Sequence, residues 1–125
     1  MAFSKKTRQQ VFDKYNGHCG YCGYEFKSIS EMQVDHIHSK LKSRFKGEEV
    51  DNSLENLMPS CRQCNFYKNA AGIESFRRDI LKTLSNTCRK SFQVRLAMKY
   101  GMLTFHPWDG KFYFEKVEEK SDDHS

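Results

Sequence analysis

The chain has 125 residues, of which 38% are hydrophobic and 30% charged, so it has the size of one domain and little room for a second core. No apolar run approaches the roughly 20 residues that cross a bilayer, and Met1–Lys6 lacks the apolar stretch of a secretory signal. We therefore expect a soluble, cytoplasmic protein with no membrane partner. Its core is small for an unaided fold, which favours an added stabilising element such as a bound metal.

Charge is distributed unevenly along the sequence. The chain has 21 Lys and Arg against 16 Asp and Glu, a net charge of +5. Residues 115–125 contain five acids and two lysines, or −3, so the remaining residues carry +8. A basic body attracts polyanions through long-range attraction and counterion release, which makes nucleic acid a candidate partner. Many soluble proteins are mildly basic, however, so charge alone does not identify one.

The N-terminal segment predicts a helix from Ser4 to about Tyr15. Ser4 or Thr7 can cap this helix, apolar positions recur at helical spacing, and Asn16-Gly17 ends it. The helix leads directly into residues 18–23, with sequence HCGYCG. Glycines at these positions allow a tight knuckle whose backbone amides point at cysteine sulfurs.

The middle of the chain predicts a strand, a long loop and a helix. Residues 32–38 alternate apolar and polar side chains, as expected for a short strand carrying Asp35 and His36. Residues 39–53 are polar and predict an exposed loop, and loops of this length in a compact domain tend to be functional. A short apolar stretch then returns to a second knuckle at residues 60–64, which opens a helix.

The C-terminal third predicts further helices and a hairpin. Residues 73–84 contain apolar side chains at helical spacing, which we interpret as a core stripe, and residues 89–100 predict another helix. Residues 102–114 predict a hairpin with its turn at 107–110. We expect a single domain over residues 1–117, with a core at about 8–72, an extension at about 73–117 and a charged, disordered tail at 118–125.

Four of the five cysteines form two Cys-x-x-Cys pairs. Disulfides are unfavourable in a reducing cytosol, whereas two such knuckles supply the four thiolates of a tetrahedral structural zinc. Because residues 23–60 separate the pairs, a shared zinc would bring the two ends of that segment together. The remaining Cys88 is expected to be a small buried apolar residue. The predicted zinc ligands are Cys19, Cys22, Cys61 and Cys64.

Four pieces of the sequence resemble a known family. They are Cys19-x-x-Cys22, Val34-Asp35-His36-Ile37-His38, Glu55-Asn56-Leu57 and Cys61-x-x-Cys64-Asn65-x-x-Lys68. In order and spacing they resemble the HNH endonucleases over about residues 8–70. The resemblance implies an α+β fold with a zinc-stabilised ββα-metal (His-Me finger) core. Asn65 replaces the third family histidine, which makes this an HNN variant.

The residue types suit metal-dependent phosphodiester hydrolysis, which requires an activated water, a neutralised phosphate and a stabilised leaving oxygen. His36 is the predicted general base, because a neutral imidazole accepts a proton near neutral pH. Asp35 and Asn65 provide hard oxygen ligands for a catalytic Mg²⁺ or another divalent cation. Asn56 is expected to hold the His36 region by hydrogen bonds, with Asn52 as its rival.

Substrate contacts are expected from basic residues around these pieces, namely His38, Lys40, Lys42, Arg44 and Lys68. Each of these residues also has an explanation without function. His38 could be an ordinary surface histidine, the run Lys40, Lys42 and Arg44 could simply be solvated, and Lys68 could be an exposed helix lysine. The resemblance implies double-stranded DNA more strongly than RNA, and it is compatible with a phage, a mobile element or a restriction and defence system. The oligomeric state is not determined by the sequence.

Two other functions are compatible with the sequence. The first is a zinc-containing nucleic-acid-binding module without nuclease activity. The presence of Asp35, His36 and Asn65 together argues against it, since a simple binder does not need an acid beside a histidine. The second is a protein-interaction domain that uses zinc only for folding and displays the aromatic hairpin, which would show no salt-dependent affinity for DNA.

Overall fold

The computed structural model describes residues 3–38 and 45–123. The chain forms two compact units, one made of Met1–Gly72 with Phe112–Ser125 and the other of Ile73–Lys111. Three of the predicted site residues, Lys40, Lys42 and Arg44, lie outside the described residues. In the part that is described, no helix has the length and apolar character needed to cross a membrane.

The first unit begins with helix α1, Lys5–Lys14, as predicted. The Ser4 side chain caps it by accepting a hydrogen bond from the backbone N–H of Thr7. Val11 anchors the helix in the core. The chain then turns at Asn16, φ 54°, and Gly17, φ 79°, so the predicted stop is confirmed.

Two short strands form the sheet beneath the candidate site. Strand β1, Gln33–His36, pairs antiparallel with β2, Leu57–Ser60. Every residue of β2 is buried, so its backbone is an inner wall of the first unit. On β1, alternation places Gln33 and Asp35 on one face and Val34 and His36 on the other.

Helix α2, Arg62–Lys68, follows β2 and completes a ββα arrangement by packing on β1. Cys61 caps the helix, because its Sγ accepts a hydrogen bond from the backbone N–H of Cys64. One cysteine of the second knuckle thus begins the helix and another lies in its first turn. The predicted α+β class is confirmed by this combination of helices with a small antiparallel sheet.

The end of the chain returns to the first unit as helix α6, Tyr113–Asp123. The predicted hairpin is therefore wrong: the segment before α6 contains no strand in the described residues, and Phe114 is helical. Burial overrides the β propensity of this aromatic run, since Phe112 packs edge-on against Tyr21 with ring centroids 5.6 Å apart. The Glu115 side chain accepts a hydrogen bond from the Phe112 N–H, which starts a helix there.

The predicted disorder of the tail is also not observed up to Asp123. Helix α6 includes residues 118–123, and Glu118 accepts a hydrogen bond of 3.0 Å from the Tyr15 hydroxyl. Burial raises the pKa of the Tyr15 phenol, and the neighbouring Glu118 carboxylate raises it further. Tyr15 therefore keeps its proton and remains a hydrogen-bond donor. The prediction of disorder rested on the charged composition of the tail, which carries no information about this contact with Tyr15.

The second unit is helical: α3, Ile73–Arg78, continues through a π-helical turn, Asp79–Leu84, into α4, Ser85–Lys90, and α5, Phe92–Lys99, follows. The predicted core stripe is only partly correct, because Phe76 is buried whereas Leu81 and Leu84 are 43% and 41% exposed. A π turn bonds residue i to i+5, which rotates later side chains off a stripe of 3.6-residue period.

Candidate active site and metal centre

The four knuckle cysteines converge in the first unit. The sulfurs of Cys19, Cys22, Cys61 and Cys64 all lie within 4.8 Å of one another. A tetrahedral zinc with Zn–S bonds of about 2.3 Å separates its sulfurs by about 3.8 Å, and Cys22 Sγ lies 3.8 Å from Cys61 Sγ. The cluster therefore fits one structural zinc. Cys88 is half-buried and lies outside this group.

Crowding perturbs the thiols of this cluster. Hydrogen bonds from Cys22 and Cys64 lower the pKa of the Cys19 thiol, whereas the bond with Cys19 raises the pKa values of Cys22 and Cys64. The sulfurs thus share their protons unevenly, because adjacent thiolates repel one another. A bound Zn²⁺ ion would displace these protons and stabilise the cysteines as thiolates.

The first knuckle is held against the second strand of the sheet. The Gly20 N–H donates a 2.8 Å hydrogen bond to the Pro59 carbonyl, and a Cβ at Gly20 would collide with the Met58 sulfur. A larger residue at this position would therefore force the buried Met58 side chain to move. The zinc site and the sheet are consequently one packed body.

His36 is the last residue of β1 and is buried. Its Nε2 lies 2.7 Å from Oδ1 of Asn52. Because an amide oxygen can only accept a hydrogen bond, Nε2 is the donor, and in a neutral imidazole Nδ1 is then the acceptor. The side chain that fixes the histidine tautomer is therefore Asn52, which the sequence suggested only as a rival to Asn56.

Asn56 fixes the backbone around the histidine instead of the ring. Its Oδ1 accepts a 2.8 Å hydrogen bond from the His38 N–H, and its Nδ2 donates to the carbonyls of Asp51, at 2.7 Å, and His38, at 3.3 Å. The Asn56 carbonyl also accepts from the Ile37 N–H. These bonds tie the chain after His36 to the segment that carries Asn52.

Asp35 lies on the opposite face of β1 and is largely buried. One oxygen, Oδ2, accepts a 2.5 Å hydrogen bond from the Tyr21 hydroxyl and forms a 2.9 Å ion pair with Lys68 Nζ. Burial and the Asp35 charge raise the pKa of Tyr21, so its hydroxyl keeps the proton that it donates. Within residues 3–38 and 45–123, Oδ1 of Asp35 has no hydrogen bond or ion pair.

The structure corrects the predicted role of Lys68. Its side chain is 0% exposed, and its ammonium group also donates a 3.3 Å hydrogen bond to the His36 carbonyl. The face of α2 that carries Lys68 packs on β1, which removes the lysine from solvent and pairs it with the buried acid. Lys68 is therefore not presented to a substrate phosphate.

Asn65 lies on the same side of the sheet as Asp35. Its Nδ2 donates a hydrogen bond to Oε1 of Gln33, the strand residue two positions before Asp35. This bond leaves the amide oxygen of Asn65 without a partner among the described side chains and backbone groups. Asp35 and Asn65 thus belong to the same face of the sheet, and each has an oxygen of the hard type that divalent cations prefer. His36 lies on the other face by strand alternation.

His38 is half-exposed, and its Nε2 lies 3.4 Å from Oε2 of Glu48. A protonated His38 is therefore neutralised by Glu48, which leaves its predicted phosphate contact a proposal. The residues that sequence reasoning missed are Tyr21 and Gln33. The available signal for Tyr21 was a hydroxyl-bearing aromatic residue placed between two zinc ligands, Cys19 and Cys22.

Comparison with known proteins agrees with this geometry. Residues 19–70 match the family described as HNH endonuclease, a segment that contains both knuckles, both strands and α2. No curated protein matches the sequence. The chain thus carries a ββα domain with a four-cysteine metal centre. Over residues 19–70 that domain matches the HNH endonuclease family, and the resemblance noted in the sequence is confirmed.

Proposed function

We propose that this protein is an HNH-type endonuclease that hydrolyses phosphodiester bonds of nucleic acid, with His36 as general base. The observation that carries the proposal is the 2.7 Å contact between His36 Nε2 and Asn52 Oδ1. It leaves Nδ1 as the nitrogen that takes a proton from the attacking water. Asn56 supports this step by fixing the backbone that follows His36.

A divalent cation, Mg²⁺ or a similar ion, would be held by Asp35 and Asn65. The support is their shared face of β1 and the chemistry of their oxygens, a carboxylate and an amide carbonyl. When bound, such an ion neutralises phosphate charge and stabilises the leaving 3′-oxygen. The structural zinc would hold the two ends of the segment that carries Asp35 and His36.

The proposed substrate is double-stranded DNA, as family membership of residues 19–70 favours. We propose phosphate contacts by His38 and by the three basic residues Lys40, Lys42 and Arg44, which follow the strand that carries the base. Such contacts position the backbone and carry no sequence information. Low sequence preference is therefore expected.

The decisive experiment incubates supercoiled plasmid, linear duplex and RNA with the protein in Mg²⁺, Mn²⁺ or excess chelator. His36→Ala should lower the cleavage rate by about 10²- to 10⁴-fold, the usual contribution of a general base. His106→Ala is the matched control, because His106 is an exposed histidine that contacts only Thr104 among the described residues. A His36→Ala variant that cleaves like the parent would refute the mechanism.

One observation favours a second candidate, a zinc-containing nucleic-acid-binding module without catalysis. The ion pair between Lys68 and Asp35 already neutralises the acid that would hold the cation. This alternative predicts duplex binding that weakens with salt, together with no cleavage in any divalent metal. Cation-dependent cleavage that His36→Ala abolishes would exclude it.

A further inference from the structure

One side chain from the first knuckle and one from the helix that follows the second knuckle reach the same carboxylate oxygen. Tyr21 lies between the first pair of zinc ligands, and Lys68 ends the helix that the second pair begins. Both reach Oδ2 of Asp35, at 2.5 and 2.9 Å. Two donors on one oxygen fix the rotamer of the acid, and the other oxygen, Oδ1, has no hydrogen bond or ion pair among the described residues.

The two donors are themselves firmly held. The Tyr21 carbonyl accepts a hydrogen bond from the Tyr113 N–H, and the Tyr21 ring packs edge-on against Phe112 and Phe114. Lys68 Nζ lies 6.0 Å from the centre of the Tyr21 ring and also donates to the His36 carbonyl. Neither donor can leave Asp35 without opening packed parts of the first unit.

We propose that Tyr21 and Lys68 are positioning residues that couple the zinc site to the candidate catalytic cation site through Asp35. The zinc fixes the two knuckles, the knuckles fix the phenol and the ammonium group, and these two groups orient the carboxylate. This inference rests on the proposed function for its catalytic consequence. Its geometric part, the effect on cation binding, is independent of cleavage.

The test compares Tyr21→Phe with Tyr24→Phe. Both variants lose one hydroxyl from the same segment, but among the described residues the Tyr24 hydroxyl reaches only the exposed Glu31. Mn²⁺ binding to the zinc-loaded proteins is measured by electron paramagnetic resonance without nucleic acid, together with zinc content and kcat and KM for duplex cleavage. Tyr21→Phe should weaken Mn²⁺ affinity or lower kcat by about 10- to 100-fold, with KM for duplex and zinc content unchanged.

Two results would overturn the proposal. The first is that Tyr21→Phe has the same Mn²⁺ affinity and the same kcat as both the Tyr24→Phe variant and the parent. The second is loss of zinc from Tyr21→Phe, because the tyrosine would then support the knuckle and not the acid. If the parent does not cleave nucleic acid at all, the proposed function fails, whereas a changed Mn²⁺ affinity would still support the coupling.

Discussion

At the scale of single residues, the site is organised by the alternation of one short strand. Asp35 and His36 are adjacent in sequence, yet the first faces α2 and the second faces Asn52. A buried acid that is paired with a buried lysine contributes little net stability, because both charges have lost their hydration. Breaking such a pair is costly, however, since the remaining charge is left without a partner.

This asymmetry predicts the stability of Lys68 variants. Lys68→Met should lower the free energy of unfolding by about 3–5 kcal/mol, because it leaves the Asp35 carboxylate buried without its counter-ion. The double variant Lys68→Met with Asp35→Leu should recover part of this loss, because it removes the buried charge but leaves the buried Tyr21 hydroxyl without its acceptor. Urea denaturation of the zinc-loaded proteins measures both, with the exposed Lys99→Met as control. A single variant as stable as the parent would contradict the buried ion pair.

At the scale of secondary-structure elements, the four-cysteine cluster joins parts of the chain that are too short to be stable alone. Strands β1 and β2 have four residues each and α2 has seven. An isolated helix or hairpin of this size is marginal in water, so the knuckles that flank them must supply tertiary constraint. In small metal-bound domains, metal affinity is folding free energy.

Loss of one ligand should therefore unfold the first unit. Cys64→Ser should lose zinc and cooperative unfolding, whereas Cys88→Ser, outside the cluster, should retain both. Acidification should release zinc from the parent, since thiols must be deprotonated to bind it and protons compete as the pH falls. Zinc content by atomic absorption and near-ultraviolet circular dichroism provide the measurements. Stoichiometric zinc in Cys64→Ser would contradict a single shared ion.

At the scale of the whole molecule, net charge is confined to one unit. Residues 73–111 contain eight Lys and Arg and three acids, or +5, which equals the net charge of the full chain. Helix α5 presents Phe92, Arg95, Leu96 and Lys99 at helical spacing, and Tyr100 follows them, all exposed. Cations interleaved with aromatic rings are typical of nucleic-acid contact through phosphates and base stacking.

If the protein binds nucleic acid, this stripe should carry part of the affinity. Arg95→Glu with Lys99→Glu should weaken duplex binding and reduce the slope of log affinity against log salt by about 2, because two phosphate contacts are lost. Lys5→Glu with Lys6→Glu makes the same charge change on α1 and should have a smaller effect. Fluorescence anisotropy at several salt concentrations measures both. Equal weakening in the two variants would show that only net charge matters.

Much of the first unit could be predicted because its signals are local. The Ser4 cap, the Asn16-Gly17 stop and the alternation around Asp35 each depend on a few neighbouring residues. The hairpin prediction failed because burial of Phe112 against Tyr21, a contact between the two ends of the first unit, outweighed local β propensity. The prediction of a core stripe at residues 73–84 was wrong for Leu81 and Leu84, which are exposed because a π turn changes the helical period there.

The sequence by itself determined the metal ligands, the family of residues 19–70 and the presence of a histidine beside an acid, because ligand spacing and residue chemistry are carried by the chain itself. Only the tertiary structure decided that Asn52 fixes the His36 tautomer and that Tyr21 and Lys68 converge on one oxygen of Asp35. Those contacts join residues 14 to 33 positions apart. They exist only once strand pairing and helix packing have closed the intervening chain.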